Sequence, residues 1–164
     1  MAITFNADEI FEMAEEIERN AEKFYREAAE NAPDAKVSQM LLDMAAMEDG
    51  HLITFQQMRK HLRGNETEQI VFDPEDEASM YLQAMADVHG IEGKINHTKK
   101  LTGNEKIEDI FKIAIDAEKN SVVFYVGLRN FVPAGTGRAK VEGIIREEMS
   151  HLTMLSRSLA ALHK

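Results

Sequence analysis

Offset by one hundred residues, the chain repeats itself, and the repeat keeps charged groups on faces that otherwise read as apolar. Ile10/Ile110, Phe11/Phe111, Ala14/Ala114, Glu18/Glu118, Asn20/Asn120, Phe24/Phe124, Tyr25/Tyr125, Pro33/Pro133, Glu48/Glu148, His51/His151 and Leu52/Leu152 all coincide. Apolar matches are expected of any duplicated helical hairpin, because both copies must bury the same stripe. The polar matches constrain more. Each half retains two glutamates and one histidine at fixed spacing, so the fold must accommodate them wherever it places that stripe.

The periodicity is helical. An N-terminal helix is predicted over about 7–31, entered through a capping box in which Asn6 accepts from backbone N–H groups and Glu9 reaches back. It stops before Pro33, whose ring disfavours helical geometry at the preceding residue. A second helix spans about 34–62, a third about 105–131 and a fourth about 138–162, the last two separated by the loop at Pro133. The crossover of about 63–104 holds a short helix, capped by Asp73 with Pro74 in its first turn and Met80, Tyr81, Met85 and Val88 on its apolar side; Gly90 and Gly93 break the pattern after it. Strand patterns of period two are missing. Two helical hairpins joined by one long crossover describe an all-α four-helix bundle with one non-local connection, here expected as a single domain over 1–164.

At about 100° per residue, Phe11, Ala14, Ala21 and Tyr25 lie within roughly 60° of Glu18, which therefore sits in the apolar stripe. Phe111, Ala114, Ser121 and Tyr125 surround Glu118 in the same way. On the second helix Val37, Leu41, Met44, Phe55 and Leu62 flank Glu48, with His51 one turn on; on the fourth, Val141, Ile144, Leu152 and Leu155 flank Glu148, with His151 one turn on. A core holding Glu18, Glu48, Glu118 and Glu148 together costs several kcal/mol per uncompensated charge, and no Lys or Arg occupies these stripes. Partial protonation would leave the groups short of partners. Two divalent cations cancel four carboxylates, and neutral imidazoles complete each coordination sphere. Glu and His at i and i+3 project from the same side of a helix and can share a cation. The set has the form of di-iron and di-manganese carboxylate bundles: a Glu from each of two helices and a Glu-x-x-His from each of the others. One Glu-x-x-His alone means little, since most such pairs on helix surfaces are simply solvated. Two of them, each on an apolar stripe and each preceded by an inward Glu, point to metal.

Other residues read differently. His61, His89, His97 and His163 lack such partners and belong on the surface or at an interface. Met40, Met44 and Met58 share a stripe and serve packing. Glu147, about 100° from Glu148, faces outward. Glu15 and Glu22 border the stripe and are candidates for supporting carboxylates. Tyr25 and Tyr125, two turns beyond Glu18 and Glu118, are either core tyrosines with a local partner or donors to a ligand carboxylate across the site.

Composition removes several alternatives. The chain of 164 residues has no cysteine, which excludes disulfides, iron–sulfur clusters and a thiol nucleophile. A net charge of −10 repels nucleic acid and anionic membrane, and neither is an expected partner. No apolar run reaches the roughly 20 residues of a membrane span, and the first basic side chain is Arg19, so a cytoplasmic location is expected.

These motifs, Glu18-x6-Tyr25 with Phe24, Glu48-x-x-His51, Glu118-x6-Tyr125 with Phe124, and Glu148-x-x-His151, resemble the rubrerythrin-type branch of the ferritin-like superfamily over nearly the whole chain. The resemblance implies two iron ions, with manganese or zinc also compatible, held by Glu18, Glu48, His51, Glu118, Glu148 and His151. It implies that Glu18 or Glu118 bridges, that the site reacts with hydrogen peroxide or dioxygen, and that the protein forms a homodimer. Two departures stand out. The four-cysteine rubredoxin-like domain of rubrerythrins is missing, so electrons are expected from an external donor such as a rubredoxin-type protein. Ser121 stands where those proteins carry a further helix-three glutamate, and its counterpart is Ala21. The expected function is a non-haem di-iron peroxidase or oxidase; the alternative is a ferroxidase or iron-storage protein using the same dinuclear site.

Overall fold

In the computed structural model, residues 7–64, 80, 81, 84, 100–132 and 134–163 are described. They form four long helices: α1 (Ala7–Glu30), α2 (Ala35–Gly64), α3 (Ile107–Phe131) and α4 (Thr136–Ala161). No strand occurs among the described residues. The proposed caps Asn6 and Asp73, the first-turn residue Pro74, the loop residue Pro133, the crossover residues Met85, Val88, Gly90 and Gly93, the histidines at 89 and 97, and the side chain of Leu62 lie outside them.

Local chemistry sets the helix ends. Asp8 and Glu9 place negative charge at the positive end of the α1 dipole. At its other end the backbone tightens, with Asn31 N–H donating to the Ala28 carbonyl and Ala32 N–H to that of Ala29. Asp34 then caps α2, its Oδ1 accepting from the backbone N–H of Lys36 and of Val37 at 2.9 Å each. The third helix begins two residues later than its periodicity suggests, and the reason is Glu105. Its carboxylate accepts from Thr102 N–H at 2.8 Å, the Thr102 hydroxyl at 2.7 Å and Gly103 N–H at 3.0 Å. These donors hold its pKa down at about 2 and commit the side chain to the turn, in which Gly103 takes a positive φ of 84°. Lys106 remains extended, and α3 starts at Ile107. The fourth helix begins earlier than expected, after Gly135 at φ 125°, a backbone that a side chain would strain.

α1 packs chiefly on α2 and α3 chiefly on α4, and the two hairpins meet through α1 with α3 and α2 with α4. The apolar core falls into two clusters. One contains Phe11, Ile17, Phe55, Phe124, Phe131 and Val141. The other contains Phe24, Leu41, Met44, Ile110, Phe111 and Leu155. On every helix the polar residues of the repeat, at 18, 48 and 51, 118, and 148 and 151, lie between the stretch belonging to one cluster and the stretch belonging to the other. Hydrophobic packing thus encloses them from both ends of the bundle. From the crossover, Tyr81 packs on the first cluster and donates its hydroxyl to the Val123 carbonyl at 2.5 Å, which ties that segment across α3.

Candidate metal centre

Helical register delivers one carboxylate from α1, one from α3, and a carboxylate with an imidazole one turn apart from each of α2 and α4. All six side chains are buried, none more than 4% exposed. They form two groups whose ligand atoms lie within 4.8 Å of one another: Glu18, Glu48, His51 and Glu148, and Glu48, Glu118, Glu148 and His151. Glu48 and Glu148 belong to both, and each divides its two oxygens between them. The Nδ1 of His51 lies 3.5 Å from Glu18 Oε2, 3.3 Å from Glu48 Oε2 and 3.3 Å from Glu148 Oε1. The Nδ1 of His151 lies 3.1 Å from Glu48 Oε1, 3.5 Å from Glu118 Oε1 and 3.0 Å from Glu148 Oε2. The two rings face each other with centroids 6.0 Å apart. The shared carboxylates are therefore those of α2 and α4, whereas the family resemblance implies a bridge from Glu18 or Glu118.

The donor set fits a pair of divalent cations on three counts. Four carboxylates balance two such ions, and the ligands are the oxygen and imidazole types these ions take. Glu18 Oε2, Glu48 Oε1 and His51 Nδ1, all inside the groups, are buried with no hydrogen-bond partner. Such atoms cost about 1–3 kcal/mol each when left unsatisfied, and a coordinated ion removes that cost. The spacing also agrees. Bonds of about 2.1 Å put neighbouring ligand atoms roughly 3.0 Å apart in octahedral and 3.4 Å apart in tetrahedral geometry, and the N–O separations above run from 3.0 to 3.5 Å.

Without cations, protons must neutralise the cluster. Burial and the nearby Glu148 carboxylate raise Glu18 and Glu118 well above the ordinary 4.5. Burial alone would lower the imidazoles, but the carboxylates around them win: His51 is raised far above 6.5, and His151 is pushed up to about 12. Glu148 moves the other way. Its burial penalty is outweighed by the His151 and His51 imidazoles beside it, at 3.0 and 3.3 Å, which bring it down to about 2.

The two tyrosines cross between the halves. Tyr25 of α1 donates its hydroxyl to Glu118 Oε1 on α3, and Tyr125 of α3 donates to Glu18 Oε1 on α1. Burial and the neighbouring carboxylates push both phenols up, so they remain protonated donors. Each fixes one carboxylate oxygen: Glu18 keeps its Oε2 for the His51 side of the cluster, whereas Glu118 Oε1 both accepts from Tyr25 and faces the His151 side.

Glu15 and Glu22 do not join the site. Glu15 is buried against Arg59, 3.4 Å away, within a patch where the same guanidinium grips both oxygens of Asp8 at 2.8 Å and reaches Glu12 at 3.1 Å. Glu22 pairs with Arg26 on the surface. His61 is exposed, and exposed His163 lies 3.8 Å from Glu108. Sequence reasoning missed the part played by Glu147. Its side chain is 58% exposed, as its helical angle suggests, yet its Oε2 reaches across to His51 Nε2 at 2.7 Å. The signal was present as a break in the repeat, because the position matching Glu147 is Met47.

Comparison with known proteins agrees with this architecture. The rubrerythrin family model matches residues 9–159. No curated protein matches the chain in sequence. Among solved structures, a ferritin-like diiron-carboxylate protein of Thermotoga maritima superposes with a TM-score of 0.71 at 19% identity, covering 96% of each chain. KatB, a manganese catalase from Anabaena, superposes with a TM-score of 0.62 at 19% identity, over 100% of this chain and 77% of its own. At that identity these two similarities speak to the fold, which is the ferritin-like bundle.

Proposed function

The chain belongs to the rubrerythrin family, and from that membership together with the six converging ligands we propose that it is a non-haem di-iron oxidoreductase acting on hydrogen peroxide or dioxygen. The observation that carries the reading is the division of the Glu48 and Glu148 oxygens between two otherwise separate ligand groups. Bound at these positions, two ferrous ions supply two electrons and Lewis acidity toward the oxidant.

The side chains of the protein do the rest. Glu48 and Glu148 hold the two positions at one carboxylate's span and can change how many oxygens they offer as charge changes. Tyr25 and Tyr125 keep Glu118 and Glu18 aimed inward and hold protons within reach of the site. The apolar clusters above and below exclude bulk water. A small cavity reaches Glu48 and Glu118 between α1 and α3, walled by Ala21, Ala117 and Ser121. Ser121 and Ala21, where a longer acidic side chain would fill that space, leave a small gap beside Glu48 and Glu118. An external rubredoxin-type electron donor, homodimeric assembly and a cytoplasmic location belong to the same proposal.

Metal analysis of natively purified protein is the first test, with about two iron ions per chain expected. The ferrous protein is then prepared anaerobically and mixed with peroxide or with dioxygen, and near-ultraviolet ferric absorption is followed. Repeated turnover with a rubredoxin-type reductant supports the oxidoreductase. A single stoichiometric oxidation with every reductant offered turns the reading to a ferroxidase or iron-storage role, which the acidic surface could serve by attracting Fe²⁺. Manganese or zinc alone in the native protein, with no response to oxidant, refutes the iron reading.

A further inference from the structure

The repeat that builds the site is broken beside it. On one side, His51 presents Nδ1 to the cluster and its Nε2 lies 2.7 Å from Glu147 Oε2. On the other, His151 presents Nδ1 to the cluster, but its Nε2 is buried without any partner. The residue that would correspond to Glu147 is Met47, which is part of the apolar packing and offers no comparable acceptor. An imidazole that coordinates through Nδ1 must carry its proton on Nε2. His51 can donate that proton to a carboxylate, which fixes the ring, selects the tautomer and makes Nδ1 a stronger donor. His151 must bury the same N–H with nothing to accept it.

We propose, on the basis of the dinuclear reading above, that the two cation positions are unequal, with Glu147 a positioning residue that makes the His51 side the tighter and the His151 side the one a cation leaves first. The magnitude follows from what a supporting carboxylate contributes at such ligands, on the order of 10–100-fold in affinity.

The test titrates metal-free full-length protein with Zn²⁺ by calorimetry. The shared carboxylates can by themselves separate the two steps, so the diagnostic quantity is how the ratio of step constants changes with substitution. Glu147→Met is expected to weaken the tighter step and shrink that ratio on the order of 10–100-fold. Met47→Glu is expected to shrink it by strengthening the weaker step. Glu147→Gln, whose amide oxygen still accepts the N–H, should keep most of the wild-type ratio. In proton NMR of the Zn²⁺-loaded protein, the hydrogen-bonded imidazole N–H of His51 should be slowly exchanging and should disappear in Glu147→Met. Because the Glu147 side chain is 58% exposed, Glu147→Met should fold, with the metal-free protein losing only the cost of freeing the His51 N–H; the ratio of step constants is read on the folded variant, so it decides the matter even if Met47→Glu fails to fold. A ratio in Glu147→Met within about twofold of wild type, well short of the supporting-carboxylate effect, overturns the inference while leaving the dinuclear site intact. Failure of the wild-type protein to take up Zn²⁺ overturns both.

Discussion

Loading the metal-free protein with two divalent cations should drive protons out of the core, and their number follows from the structure. Four groups at the site bind protons more tightly in the fold than in the unfolded chain: Glu18, Glu118, His51 and His151. Each must give up its proton to offer a lone pair, so up to four protons, one from each of these groups, should leave as two cations enter. Calorimetry in two buffers of different ionisation enthalpy measures that release directly. The same linkage sets the pH dependence of the metal-free fold. Above the ordinary values of 4.5 for the two glutamates and 6.5 for the two histidines, the unfolded chain has released protons that the fold retains. Each such proton lowers stability by about 1.4 kcal/mol per pH unit. Stability of the metal-free protein should therefore fall as pH rises from the acid side through neutrality, continuing toward the His151 pKa of about 12. Glu148 acts with the opposite sign, contributing stability above 4.5 that is lost as pH falls toward 2. Cation-loaded protein should be flat above about 6.5 and lose stability as pH falls below it, because protons then bind the unfolded chain and compete with the cations for the same ligands. Release of no protons on loading, or a metal-free melting temperature that climbs between weakly acidic and alkaline pH, would refute the reasoning.

Other expectations are simpler to state. Glu48→Ala should lose the most metal, because both groups share that carboxylate; His151→Ala should lose one ion and His61→Ala none, all read by metal analysis after dialysis. Tyr25→Phe and Tyr125→Phe each remove the donor to a buried ligand oxygen and should destabilise by about 1–3 kcal/mol in urea titrations of metal-free protein. Phe55→Ala empties a fully buried position between Phe11 and Tyr125, with an expected loss of about 3–5 kcal/mol by the same measurement. A loss below about 1 kcal/mol at Phe55 would mean that the core collapses around the gap.

What could be read from the chain alone was whatever depends on helical period and on charge. Four stripes, Pro33 and Pro133, and the one-hundred-residue repeat were sufficient for four helices in two hairpins. The impossibility of burying four bare carboxylates together made Glu18, Glu48, His51, Glu118, Glu148 and His151 a single problem with one economical solution. Those inferences are local, because a residue's angle on a helix depends only on its neighbours in sequence. Contacts between helices do not obey that rule. The start of α3 moved because Glu105 found three donors in its own turn. The crossing of Tyr25 to Glu118 and Tyr125 to Glu18, the sharing of Glu48 and Glu148 rather than Glu18 or Glu118, and the reach of exposed Glu147 to His51 depend on how far apart four helices settle. That separation is set by side chains packing from all four at once, and no single stretch of sequence contains it.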